Sequence, residues 1–186
     1  MLSPSEKIDK MVKENQDVWR TVPSLYSWLR GGLRRGLWEK HPIKLKYKTE
    51  NRSQITNPNP RGKKPTVWGG ICSVCNEEFI ESKLQVDHVH GGNFSLKTPE
   101  DIATFIENIV LVTKEDLRLV CVDCNYTLSY AAKYNVSLEE AYIRRYVAQL
   151  EKDKKLKEFL LERNINYPGS IPKAKVLCID ILLKEL

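Results

Sequence analysis

The sequence predicts an α+β protein with a small zinc-stabilised core, a basic N-terminal helical arm ahead of it and C-terminal α-helices behind. Three observations carry this. Two C-x2-C pairs bracket residues 72–124, short strand-like runs lie between them, and charge is divided unevenly along the chain. The 186 residues carry a formal net charge of +6. Residues 1–70 hold 15 Lys/Arg against 6 Asp/Glu, residues 71–126 hold 4 against 10, and residues 127–186 hold 11 against 8. A basic third therefore precedes an acidic centre, an asymmetry that points to a polyanionic partner for the arm. The expected domains are 1–66, a basic helical region with an extended linker; 67–136, the zinc-bound core; and 137–186, a C-terminal helical region.

Ser5–Val18 has Ile8, Met11, Val12 and Val18 among charges, a weak helical pattern. Leu25, Trp28/Leu29, Leu33 and Leu37 recur at helical spacing, and the glycines among them imply close packing or close approach of the backbone. Asn57–Pro65 is rich in Pro and Asn and reads as an extended basic linker. Leu84–Val89 and Leu117–Val120 read as strands, and Pro99–Ile109 as a helix opened by proline. Val122–Tyr134 is helical. Ser137 with Glu140 forms a capping box for a long helix over 138–163, and Pro172 opens a last helix with an apolar stripe.

Cys72, Cys75, Cys121 and Cys124 form the two pairs. Tetrahedral zinc takes four thiolates at about 2.3 Å, and one tight turn supplies two of them in a C-x2-C segment. Asn76 suits such a knuckle because Asn tolerates the left-handed backbone conformation. A site filled by four cysteines has no open position for a reacting water, so zinc is structural here and any chemistry lies elsewhere. The fifth cysteine, Cys178, lies on the apolar side of the last helix as a buried thiol. The odd count and the lack of an apolar signal core near the N-terminus argue against a disulfide framework. The expectation is a soluble intracellular protein with no membrane partner.

Between the pairs lies Gln85-Val86-Asp87-His88-Val89-His90-Gly91-Gly92, and Asn125 follows the second pair directly. This arrangement resembles the HNH, or His-Me finger, nucleases, and is particularly similar to the phage recombination endonuclease VII group. The resemblance implies a ββα-metal core and cleavage of DNA in a phage-infected cell, leaving 5′-phosphate and 3′-hydroxyl ends. His88 suits the general base, since a pKa near 6.5 leaves much of it neutral at pH 7. Asp87 and Asn125 suit one catalytic Mg²⁺ or Mn²⁺, an oxygen-only ligand set. Adjacent strand residues face opposite ways, so Asp87 and His88 reach one site only where the strand bends or ends, as Gly91-Gly92 allows. Gly91 stands where many members have proline, and Ser129 is the nearest counterpart of their last-helix His or Asn. Their middle Asn falls at Asp116 or at Asn108.

Arg30, Arg34, Arg35, Lys40 and Lys44, interleaved with Trp28, Trp38 and Tyr47, form the expected DNA-contacting face, joined by Arg61, Lys63 and Lys64 of the linker. His90 is a candidate phosphate contact, whereas His41, ahead of Pro42, reads as a turn residue. The first expectation is an endonuclease nicking or cutting double-stranded DNA. Its rivals are a resolvase of branched (Holliday junction) DNA, which calls for a dimer, and a zinc-ribbon DNA-binding protein without catalysis. Monomer and homodimer both stay open.

Overall fold

The computed structural model describes residues 2–59, 61–90 and 94–186. Gly91 and Gly92, where the sequence places the bend or end of the strand, lie outside the described residues, as does Pro60 of the basic segment. The chain divides into two compact units, Met1–Cys121 and Val122–Leu186. The division falls inside the second C-x2-C pair, away from the expected boundaries at 66/67 and 136/137. Among the described residues no helix is long and apolar enough to cross a membrane.

In the first unit, α1 (Pro4–Glu14) opens on a capping box in which Ser3 and Glu6 satisfy each other's backbone N–H groups. α2 (Val22–Leu33) is capped by Thr21 and runs into a π-helical turn, Arg34–Trp38, closed by the Glu39 N–H donating to the Arg34 carbonyl at 2.9 Å. Trp38, the last residue of that turn, is only 5% exposed. α3 (Pro42–Glu50) follows, with proline in its first turn.

The expected linker is a hairpin loop. β1 (Ser53–Thr56) and β2 (Thr66–Ile71) pair antiparallel, and β3 (Glu78–Ile80) adds to the other side of β2. The Asn57 N–H donates to the Pro65 carbonyl at 2.9 Å and the Asn57 side chain to the Lys64 carbonyl at 2.8 Å, closing the loop across its neck. Proline removes donors from the loop without weakening the strands, so the composition that excluded a central strand is compatible with a strand connection. At Gly70 a Cβ would meet the Asn51 carbonyl and Leu119 at 3.0 Å, so a side chain there would press the neighbours of β2 outward by a few tenths of an ångström.

The second sheet is β4 (Leu84–His88) antiparallel to β5 (Leu117–Cys121), in register from Leu84 opposite Cys121 to His88 opposite Leu117. Both expected strands are present. Between them α4 (Asp101–Val110) buries Phe105 and Ile109, and its first turn is tied down by the Asp101 carboxylate accepting from the Lys97 and Thr98 N–H groups. Leu84, Val86, Leu117 and Leu119 fill the core beneath the pair.

The second unit is helical: α5 (Val122–Tyr134), α6 (Leu138–Lys152), α7 (Leu156–Leu161) and α8 (Ile171–Lys184). Its core joins Val147, Leu150, Phe159 and Leu160 to Ala174 and Cys178, the thiol expected to be buried. Ser137 caps α6 by accepting from the Glu140 N–H, but the Glu140 carboxylate turns to Arg144 and leaves the capping box half made. The expected single helix over 138–163 is two. Lys154 adopts φ 60°, the Lys155 N–H reaches back to the Leu150 carbonyl and the Lys154 N–H to that of Glu151, the hydrogen-bond pattern of a Schellman stop. Lysine at the position usually taken by glycine hid this stop. Because a side chain there is strained, Lys154→Gly should raise the unfolding free energy by up to about 1 kcal/mol in urea titration.

Candidate metal centre and active-site cleft

The Sγ atoms of Cys72, Cys75, Cys121 and Cys124 all lie within 4.8 Å of one another. Thiolates about 2.3 Å from a tetrahedral zinc ion stand about 3.8 Å apart, which this cluster accommodates, so the four cysteines could hold a zinc ion. Local backbone geometry builds the centre. Asn76 takes φ 59°, as its position in the knuckle predicted, and its N–H donates to the Cys72 carbonyl at 2.9 Å. The Ser73 N–H donates to the Leu119 carbonyl at 2.8 Å, fastening the first knuckle to β5. Cys121 ends β5 and its N–H points to the Cys72 sulfur at 3.3 Å, while Cys124 lies in the first turn of α5 with its sulfur 2.9 Å from the Tyr142 hydroxyl. Burial pushes the Cys72 thiol up, but the backbone N–H groups of Cys75, Cys121 and Val74 outweigh it and bring the pKa down to about 7. Cys72 therefore ionises readily, as a zinc ligand must.

His88 closes β4. Its ring stacks on Trp38 with centroids 4.3 Å apart and tilts against Phe94 at 4.9 Å. Among the described residues Nε2 has no hydrogen-bond partner, so the ring's bond to the Asn108 backbone runs through Nδ1. Asn108 lies in the last turn of α4, where carbonyls lack helical partners. Burial lowers the His88 pKa below 6.5; Asp87, the Asn108 carbonyl and Asp116 oppose this, and Arg34 adds to it. Desolvation prevails, and the imidazole stays neutral at pH 7. Nε2 is left as a lone-pair acceptor. His88, Phe94, Asn108 and Asp116 line a cleft of about 320 Å³, with exposed His90 on its rim. Asp116 holds the Thr113 N–H and hydroxyl, and its carbonyl accepts the Val89 N–H at 2.8 Å. Both candidates for the orienting position thus support the end of β4, Asn108 through the ring and Asp116 through the backbone.

Asp87 leaves β4 on the other face. Arg118, directly opposite on β5, donates from Nε at 3.1 Å and from Nη2 at 2.9 Å to its Oδ2. Arg118 escaped the sequence reading because strand register, which pairs it with Asp87, is invisible until both strands are aligned. Asn125 is half-buried on α5, one residue beyond Cys124, and Ser129 is exposed one turn further on.

Arg30, on α2, Arg34 and Arg35, on the π turn, and Lys40 beyond it are all exposed. Among the described residues none of them forms an ion pair. Gly31 leaves room for the Arg35 guanidinium, 3.1 Å from where a Cβ would stand, whereas Gly32 and Gly36 face open space. Lys44 does not belong to this face. Its side chain is 11% exposed, its ammonium is 2.6 Å from Glu39 and it lies over the Trp38 ring at 4.7 Å. His41 is more than a turn residue: it is buried at the start of α3, and its Nε2 bonds the Val110 carbonyl at 2.9 Å.

Comparison with protein-family models, with curated proteins and with solved structures finds no match to this chain.

Two measurements check the site. Elemental analysis should find one zinc per chain, lost in Cys121→Ser along with about 10 °C or more of thermal midpoint, because metal binding contributes folding free energy. Titration of His88 by NMR should give a pKa below 6.5. Since the unfolded chain then takes up the proton first, the residue's contribution to stability should fall as pH drops below 6.5.

Proposed function

We propose that the chain is a metal-dependent HNH endonuclease that hydrolyses phosphodiester bonds of double-stranded DNA, with His88 as general base. The observation that carries this reading is the state of His88. A neutral imidazole is oriented by a backbone carbonyl through Nδ1, and its second nitrogen is unpartnered beside a cleft. Such a nitrogen can take a proton from a water entering the cleft. The order β4, β5, α5, with Asp-His closing the first strand and Cys-x2-Cys-Asn opening the helix, agrees with the ββα pattern that the sequence resembles.

Asp87 and His88 leave β4 on opposite faces, and only His88 lines the cleft, so one phosphate can meet both groups only at the end of the strand, where His88 is the last residue. Asp87 fits a hard cation: Arg118 holds Oδ2, Oδ1 makes no hydrogen bond among the described residues, and a carboxylate with an amide oxygen is a donor set for Mg²⁺ or Mn²⁺. Asp87, with Asn125 by the sequence pattern, would hold the ion, which supplies neutralisation of charge on the scissile phosphate and leaving oxygen. Arg118 holds the Asp87 carboxylate in place through its two hydrogen bonds to Oδ2. Arg30, Arg34, Arg35 and Lys40 supply phosphate contacts that the acidic centre cannot.

The test compares supercoiled plasmid, linear duplex and a four-way junction with Mg²⁺, Mn²⁺ or neither, at fixed salt. His88→Ala should reduce cleavage by about 10²-fold or more while zinc content and DNA affinity persist. Cleavage by His88→Ala at the wild-type rate would show the base assignment to be wrong. Preference for the junction over the duplex would move the substrate to branched DNA. Intact DNA in every arm would leave a zinc-ribbon binding protein.

A further inference from the structure

The sheet β1-β2-β3 has no part in the chemistry above, yet its central strand presents an aromatic ring to solvent. Trp68 on β2 is 45% exposed. Its indole is braced rather than loose. The Arg52 guanidinium lies over the ring at 4.4 Å from the centroid and is held in turn by the Glu81 carboxylate at 3.7 Å. A cleft of about 680 Å³ opens beside it, lined by Trp68, Lys48, Asn57, Asn59 and Ser82 among others. Arg52 lies over the ring without lining that cleft. Glu81, the acid in its wall, is neutralised by Lys48 at 3.8 Å as well as by Arg52.

The surroundings are of one sign. From Asn51 to Asn76 the chain has four cations, Arg52, Arg61, Lys63 and Lys64, and no Asp or Glu. Arg61, Lys63 and Lys64 are exposed in the loop joining β1 to β2, and among the described residues none of them forms an ion pair. Asn side chains shape this loop. Asn57 Oδ1 accepts the Asn59 N–H at 3.0 Å, and Asn59 Oδ1 the Arg61 N–H at 3.1 Å, which orders the loop between the cleft residues Asn57 and Asn59 and the three cations that follow them in sequence.

A flat apolar ring, asparagines in the same cleft wall and cations free of ion pairs in the loop that carries them match a nucleotide: base on ring, polar edge on amide, phosphates on cations. A paired base in a duplex cannot offer its face, so the partner is an unpaired strand. From this we infer that the Trp68 cleft binds an unpaired nucleobase of a single-stranded nucleic acid, with Arg61, Lys63 and Lys64 on the flanking phosphates. The inference goes beyond the nuclease reading and involves none of the residues that form its cleft or hold its metals.

The experiment is equilibrium binding of a fluorescein-labelled twelve-residue oligothymidylate to the full chain, without added divalent metal, beside the same-length oligouridylate and a duplex. Trp68→Ala should weaken oligothymidylate binding about tenfold, the loss expected for one stacked base, and duplex binding by less than about twofold. Trp68→Phe, which keeps a ring, should retain affinity within about threefold. A parallel loss on oligouridylate extends the ligand to RNA, and its absence restricts it to DNA. The inference fails if the wild type does not bind oligothymidylate, if Trp68→Ala binds it as well as wild type, or if that variant loses duplex binding equally. It also fails if Trp68→Phe loses as much as Trp68→Ala at unchanged zinc content and circular dichroism. Because nothing is cleaved, the result is independent of whether His88 is a base.

Discussion

Four sulfur atoms confined within 4.8 Å of one another are the constraint on which the candidate site depends. Two unit charges 4 Å apart repel by about 4 kcal/mol at an effective dielectric constant of 20, so thiolates this close call for a cation among them. The chain has prepared for ionisation, since backbone N–H groups hold Cys72 at about 7 despite its burial. Everything near the cleft is then referred to that cluster. Cys121 is the last residue of β5, and fixing it fixes the register that sets His88 opposite Leu117 and Asp87 opposite Arg118. Cys124 fixes the first turn of α5, and Asn125 is the next residue.

Much of this site could be read from the sequence because its signals are local. Two C-x2-C pairs, an Asn in the left-handed knuckle position and a Leu-Gln-Val-Asp-His alternation each act within a few residues. The losses came where distant partners overrule local pattern. Residues 43–48, which carry no predicted element, alternate with the period of a strand yet are helical in α3. Pro42 starts that helix, and Lys44, expected on the DNA-contacting face, is instead buried against Glu39 and Trp38. The sheet β1-β2-β3 went unseen because its strands are three to six residues long and its connection is mostly Pro, Asn, Gly and Lys. Those residues mark a loop without saying what lies on either side of it.

The charge asymmetry also changes meaning once placed. As a sum, +9 over residues 1–70 suggests a uniform basic arm. In the fold the cations separate into groups with different uses. Among the described residues Arg30, Arg34, Arg35 and Lys40 stand free of ion pairs around the π turn that carries Trp38, Arg61, Lys63 and Lys64 do so on the β1–β2 loop, and Lys44, Lys48 and Arg52 are paired to acids. Free exposed cations can meet phosphate with little desolvation, whereas a paired one must first break its ion pair.

A comparison of His41 with His88 sharpens the choice of base. Each bonds a carbonyl from the last turn of α4, Val110 and Asn108 respectively, where the helix leaves acceptors without internal donors. Among the described residues each ring is left with one unpartnered nitrogen, Nδ1 in His41 and Nε2 in His88. A buried acceptor without a partner costs about 1–3 kcal/mol, so the same arrangement twice would be an odd expense if both were mere packing. Their surroundings differ. His41 is buried behind Trp38 and does not reach the cleft, while His88 stacks on the same indole and forms part of the cleft wall. Helix-end support therefore explains both rings, but only at His88 does the open nitrogen come with a space that a water or a phosphate can enter.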